Sequence, residues 1–473
     1  MPLPKNESRE LMSHNGAMKV TQVGICPSEA SKRAGRPALT PELLAASGAR
    51  YSRNNEGLES ILSKIDPDNL EKSVDSIFRM VDYGHQSIAD MVPVAMFIDG
   101  VSIWLAYYIW TLCPTAGGQE SSTRYIKISA EGLVPPETLG IQTADVPEWR
   151  ELMNGCFQAY QASLQIWEEV ADENPALMGI PRALLEDSSE TARKKVARMR
   201  RNYAFDRARY FLPATAATNV MLIMSARGWV NLCQHLLSHP LPEAVRAGEL
   251  IRGELEMSAP RMIKHARRVE SVRESIAREF EKWVGLATAE NPGDGPCLSV
   301  MLPDGISAGE IARDLASHNN RYAPIGTSLQ RTSVRFGWPA MGFAEIRDLN
   351  RHRTGTKYCP LVPKGFYFAL DQIPPGRRPA LEELAAIGER ATRQAVKHLK
   401  ESDPAHVCWT LLGTEFPFEH VTTADKFIYE AELRTGVGAH FRYAKHLHDV
   451  LALFYRSFPS TKGLILEGSA EPE

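Results

Sequence analysis

The 473-residue sequence predicts a mixed α/β protein made of two consecutive domains. Three observations carry that reading. The chain is longer than a single hydrophobic core usually supports. Glu290-Asn-Pro-Gly-Asp-Gly-Pro-Cys297 sets two prolines and two glycines between a helical pattern and a new apolar run, marking a boundary. On both sides of it, short β-compatible runs alternate with long segments of helical periodicity.

The elements follow in order. Residues 1–17 have no apolar core, so they read as a flexible tail and not as a signal peptide. A first strand is expected near Met18–Ile25. From Met91 to Pro114 the only charge is Asp99, a run nearly long enough to span a bilayer. Pro93 and Asp99-Gly100 interrupt it, however. A strand (Val92–Ile98), a turn and a buried helix (Val101–Thr111) are expected instead. Trp149–Glu173, Glu186–Tyr210 and Glu243–Lys264 have amphipathic helical spacing. Ala217–Leu237 is apolar nearly all round and reads as a buried helix. Beyond the boundary come a strand at Leu298–Leu302, a helix at Ser307–His318 and a strand at Ser333–Ala340. Met341–Asn350 then leads into Arg351, followed by a strand at Lys364–Leu370, a helix at Leu381–Glu401 and one or two helices over Thr422–Phe454. The resulting division is a first domain at 18–289, a linker at 290–297, a second domain at 298–465 and an acidic tail at 466–473.

Composition narrows the class. Hydrophobic content of 44% with 23% charged residues describes an ordinary globular protein, and a net charge of −3 argues against a general nucleic-acid binder. Seven cysteines without a C-x-x-C pair read as reduced thiols in the cytoplasm, with neither a disulfide frame nor a zinc site. Neither a membrane nor a nucleic acid is expected as partner. Thr115-Ala-Gly-Gly118 lacks the Gly-Lys-Ser/Thr that a phosphate loop needs. Cys113 has no cationic neighbour in sequence to activate it. His440, His446 and His448 lack the spacing of a metal site and read as structural.

Two clusters carry chemistry. Arg351-His352-Arg353 sets three cationic or protonatable side chains in a row, which repel one another unless an anion joins them. Glu120-Ser-Ser122-Thr123-Arg124-Tyr125 supplies a carboxylate, hydroxyls and a guanidinium over a few residues. Taken by themselves, the triplet also describes a solvated helix C-terminus, and the 120–124 run a polar loop with an internal ion pair. Lys194, Lys195, Arg198, Arg200 and Arg201 read as a solvated helix face, whereas Arg209 and Arg227 adjoin apolar segments.

Together the clusters resemble the signature of the flavin-dependent thymidylate synthases, Arg-His-Arg followed by Glu-x-Ser-x-Arg. Gly84-His85-Gln86-Ser87 resembles a flavin-contacting segment of that family, and Ala208-Arg209-Tyr-Phe-Leu212-Pro213 a nucleotide-contacting one. Ser225-Ala-Arg227 with Asn231 resembles Asn-Ala-Arg-x-x-x-Asn, with Ser225 replacing asparagine. The first half has Trp110-Thr-Leu-Cys-Pro114 where the triplet belongs, and His235-Leu-Leu-Ser-His239 where a ring-polarising arginine belongs. The second half supplies the triplet and, in Leu433-Arg434, that arginine. It lacks the nucleotide loop and, at Thr423-Ala-Asp425, the Asn-Ala-Arg segment. The losses are complementary.

The resemblance implies an α/β (α+β) fold of two tandem thymidylate-synthase-complementing-protein-like domains, each a short mixed or antiparallel sheet with long helices. Family members are homotetramers whose sites combine several subunits. A fused tandem copy could keep each part once, and two chains would then pair as a homodimer, a pseudo-tetramer of domains. The implied reaction places a methyl group on C5 of dUMP, using FAD, NADPH and methylenetetrahydrofolate. Arg434 would stabilise charge on the pyrimidine. Glu120, Ser122, Thr123, Arg124 and Arg209 would hold the pyrimidine deoxynucleotide. His85, Ser87, Ser225, Arg227, Asn231, Arg351, His352 and Arg353 would hold flavin. Two alternatives stay open. One is a flavin- and folate-dependent alkyl or hydroxymethyl transferase on another pyrimidine nucleotide, and the other a non-catalytic nucleotide- or flavin-binding homologue.

Overall fold

The computed structural model describes residues 18–52, 57–66, 69–82, 86–124, 128–180, 182–288, 295–436 and 438–468. The expected tail at 1–17 and most of the linker and acidic tail lie outside them. Contacts divide the described chain into two units. The first takes the residues up to Ser122 with Ile128–Val146 and Thr215–Phe280. The second takes Thr123, Arg124, Pro147–Ala214 and the chain from Glu281 onward. Each unit draws on separate stretches of sequence, where the sequence alone suggested one cut at 290–297.

The first unit carries a four-stranded antiparallel sheet in the order β1-β2-β4-β3, from Lys19–Val23, Pro93–Ser102, Ala217–Ser225 and Gly117–Glu120. Asp99-Gly100 is a bulge inside β2 and not the turn expected at its end. The register slips between Ile98 and Val101, and Gly100 takes φ +73°, which a residue without Cβ tolerates. The following helix, Ile103–Leu112, therefore starts at the Ser102 cap, whose Oγ accepts from the Leu105 amide at 3.0 Å. Glu243 accepts from both the amide and the hydroxyl of Ser102 at 2.7 Å, and burial pushes its carboxyl up to about 7. No helix among the described residues is long and apolar enough to cross a membrane.

The helix expected over Ala217–Leu237 is a strand followed by a helix. In β4, Thr218, Val220, Leu222 and Met224 are buried while the residues between them face the other way. Because Met221 and Ile223 are also apolar, the two-residue period is hidden from a hydropathy reading. Ser225 ends the strand and caps helix Ala226–Leu237, its Oγ accepting from the Gly228 amide at 3.2 Å.

The second unit repeats the plan. Its antiparallel sheet runs β5-β6-β9-β7, from Cys297–Met301, Ser333–Gly342, Thr414–Thr423 and Thr356–Tyr358, with the short β8 (Gly365–Phe366) also on β9. β6 slips register between Trp338 and Met341, at the same place in the plan as the β2 bulge. Helix Phe343–Asn350 follows β6 and helix Ala424–Thr435 follows β9, as helices follow β2 and β4. The strand expected over Lys364–Leu370 shrinks to β8, and Ala369, at φ +60°, turns the chain into the coil at Leu370–Gln372. Thr422 and Thr423 close β9, so the expected helical stretch becomes helices Ala424–Thr435 and Phe441–Ser457. Helices Val146–Glu173, Glu190–Ala208 and Arg378–Lys400 complete the unit. The first of these is tied in by Trp149, 1% exposed, whose indole donates to the Cys408 carbonyl at 2.8 Å.

Candidate functional site

The second unit gathers charged side chains around Asp348. Helix Phe343–Asn350 presents Glu345 and Asp348 to the interior and ends at Arg351. Asp348 accepts from Arg209 at 3.1 Å and from Arg351 at 2.5 Å. Burial alone would raise its pKa, but the guanidiniums of Arg209, Arg351, Arg124 and Arg434 hold it well below the usual carboxylate range. Arg209 is 1% exposed and also lies 3.9 Å from Glu345, which accepts from the Tyr210 hydroxyl at 2.7 Å. Burial pushes the Glu345 carboxyl up to about 7 in spite of Arg209.

Arg124 forms a two-pronged pair with Asp206, Nε and Nη2 donating at 2.7 and 2.8 Å. Its Nη1 also reaches the Tyr443 hydroxyl at 3.4 Å. His440 caps helix Phe441–Ser457 through Nδ1 and donates from Nε2 to the Asp206 carbonyl at 3.1 Å. That arrangement requires a neutral ring, and burial holds its pKa well below the ordinary value.

Arg434, near the end of helix Ala424–Thr435, donates from Nε to His352 Nε2 at 2.7 Å and from Nη2 to the Asp348 carbonyl at 3.1 Å. Its guanidinium carbon lies 5.2 Å from the Tyr443 ring centroid. A ring nitrogen that accepts from arginine carries no proton, so His352 is neutral. Burial, with Arg434 and Lys357 adding to it, lowers its pKa to about 3. The triplet is thus two cations flanking a neutral imidazole.

The structure brings Arg124, Arg209, Arg351, His352 and Arg434 into one network. Arg353 is exposed beside it and Thr123 is buried next to Arg124. The other expected site residues belong to the first unit. Glu120 closes β3 opposite Val220, and Ser122 is half-buried beyond it. Arg227 pairs with Asp90 at 2.9 Å, and Ser225 Oγ lies 3.5 Å from the same carboxylate. Asn231 and Ser87 are exposed. His85 lies outside the described residues. Sequence reading missed Asp206, Asp348, Glu345 and Tyr443. Asp348 had a local signal, since it stands three residues before Arg351 on a helical stretch.

Four guanidiniums (Arg124, Arg209, Arg351, Arg434) meet two carboxylates (Asp206, Asp348), with His352 and His440 neutral. Glu345, at about 7, adds at most a partial negative charge. The remaining cationic excess suits a phosphate dianion. No group of three or more His, Cys, Asp or Glu among the described residues could hold a metal ion. The turn after the triplet depends on Gly355, at φ +63°, where a Cβ would stand 2.0 Å from the Val421 carbonyl oxygen. Gly355→Ala is expected to cost about 1–3 kcal/mol in denaturant unfolding. An unchanged midpoint would show that the turn is not held against β9.

Residues 38–261 match the family described as thymidylate synthase complementing protein. That segment takes in somewhat less than half of the chain. A UPF0159 protein of Thermoplasma acidophilum is 24% identical, over 88% of this chain and 93% of its own. Among solved structures, the UMP/dUMP methylase PolB of Streptomyces cacaoi, bound with 5-Br dUMP, aligns over 53% of this chain and 95% of its own. That alignment has 15% identity and a TM-score of 0.33.

Proposed function

We propose that this protein is a flavin-dependent thymidylate synthase-like methyltransferase. It would place a one-carbon unit from methylenetetrahydrofolate on C5 of dUMP, with NADPH as reductant. The observation that carries the reading is the meeting of Arg124 and Arg209, from one half of the sequence, with Arg351, His352 and Arg434 from the other. The complementary losses in the sequence support the same combination. Arg124 binds the nucleotide phosphate, with Glu120, Ser122 and Thr123 as further nucleotide contacts. Arg209, too buried to reach solvent, acts by orienting Asp348. Arg434 faces the pyrimidine and stabilises negative charge there.

In the second unit, Arg351 and Arg353 offer guanidiniums that suit the diphosphate of FAD. Arg227, 42% exposed, is a proposed flavin contact of the first unit. Ser87, Ser225, Asn231 and His85 complete the proposed flavin contacts. When bound, FAD supplies the reducing hydride. Two chains forming a homodimer in the cytoplasm complete the reading.

The test is release of tritium from C5-labelled dUMP by the flavin-loaded protein with NADPH and methylenetetrahydrofolate, against UMP and dCMP. Release from dUMP alone is expected, and release only from another nucleotide would redirect the substrate assignment. Arg124→Ala is expected to raise the nucleotide KM by roughly tenfold or more with little change in kcat. A phosphate contact is made equally in ground and transition states. A fall in kcat at constant KM would move Arg124 from binding to chemistry.

A further inference from the structure

Beneath the Arg351–Arg353 turn lie three titratable side chains that the proposed chemistry does not use, one half-buried and two fully buried. Lys357, on β7, donates from Nζ to the His352 carbonyl and, at 3.1 Å, to the Thr354 carbonyl. His420, on β9, meets the same Thr354 carbonyl through Nε2 at 2.8 Å. Its Nδ1 lies 3.1 Å from Oε2 of Glu430, on helix Ala424–Thr435. His420 and Glu430 are both 0% exposed, and neither Glu430 oxygen has a well-directed hydrogen bond among the described residues. A carboxylate so placed is unfavourable unless nearby positive charge offsets the lost hydration.

The partners determine where the protons sit. A carbonyl only accepts, so His420 Nε2 carries a hydrogen. Nδ1 lies against the Glu430 carboxyl, which fixes how the ring is turned. The groups facing Glu430 are His352 from the turn, Lys357 from β7 and His420 from β9, with Arg434 one helical turn along on its own helix. Burial would raise the Glu430 pKa, but the charge that faces it holds it below its ordinary value.

We infer that Lys357, His420 and Glu430 act as positioning residues for the Arg-His-Arg turn, holding the His352 and Thr354 carbonyls from below. Glu430 acts through His420, holding the Nδ1 side of the ring so that Nε2 is aimed at the Thr354 carbonyl. The direction in which Arg351, His352 and Arg353 present their side chains is then set from inside the unit. Which ligand the turn holds rests on the function proposed above, whereas the positioning itself does not.

The experiment uses full-length protein with 15N-histidine, the His420 signals being assigned by their loss in His420→Gln. His420 is expected to carry its hydrogen on Nε2 in the wild type, read from the coupling of that nitrogen to its proton, and its ring signals are expected to shift in Glu430→Gln. FAD affinity of the folded protein is expected to fall roughly tenfold in Glu430→Gln, the scale on which outer partners act on ligand-holding groups. Lys357→Met, which leaves the Glu430–His420 contact in place, is expected to show the same fall with wild-type His420 signals. A wild-type His420 with no hydrogen on Nε2 would overturn the inference. So would wild-type FAD affinity in both variants. If wild-type protein binds no FAD, the functional reading fails while the histidine signals still decide the positioning.

Discussion

Replacing Arg434 with lysine is expected to slow one-carbon transfer on the order of 100-fold while nucleotide affinity stays near wild type. Arg434 spends Nε on His352 and Nη2 on the Asp348 carbonyl, so its plane is set before any ligand arrives. Lysine keeps the charge but has no Nε–H to give His352 and no second arm for Asp348. The ammonium would be free to turn, and the advantage of a donor already aimed at developing charge would be lost. Single-turnover kinetics with pre-reduced flavin would check this, because flavin reduction then cannot mask the chemical step. Equal rates for both proteins would remove Arg434 from the mechanism.

Asp348→Ala is expected to destabilise the protein by about 3–5 kcal/mol, the usual scale for breaking a buried ion pair by removing one partner. Arg209, 1% exposed, would keep its charge with Glu345 3.9 Å away as its remaining carboxylate. Asp348→Asn preserves the volume, and a similar loss would assign the effect to charge and not to a cavity. The pH dependence has a definite sign. Asp348 has a lowered pKa in the folded protein, so its contribution is complete above its ordinary value of 3.8 and fades as pH falls below that. Urea midpoints measured from pH 7 downward should fall less steeply for Asp348→Asn than for the wild type. A loss under about 1 kcal/mol at pH 7 would mean that water or Glu345 already balances Arg209.

Much of the helical framework was legible, because Trp149–Glu173 and Leu381–Glu401 carry apolar residues on one face only. The central strands were harder. β4 has apolar residues on both faces, and β9 (Thr-Glu-Phe-Pro-Phe-Glu-His-Val-Thr-Thr) has Pro417 in mid-run and His420 pointing inward. The arginines of the site showed because guanidiniums among apolar neighbours ask for an explanation. Asp206 and Asp348 did not, since an acid becomes an arginine's partner only when folding joins distant segments. The neutral state of His352 was invisible for the same reason. Three adjacent basic letters gave no sign that Arg434, far along the chain, would donate to the middle one.

The discontinuous make-up of the second unit has a consequence for its birth on the ribosome. Helices Val146–Glu173 and Glu190–Ala208 are finished well before β5 is translated, yet their packing partners, Cys408 among them, arrive some 200 residues later. At about 5–20 residues per second that interval lasts roughly 10–40 s. Throughout it the apolar sides of both helices have no sheet to cover them. Production of active protein should therefore depend on holdase chaperones more strongly than length alone suggests. A gene cut at the 290–297 codons would leave the first polypeptide carrying helices of the second unit, and the second polypeptide without them.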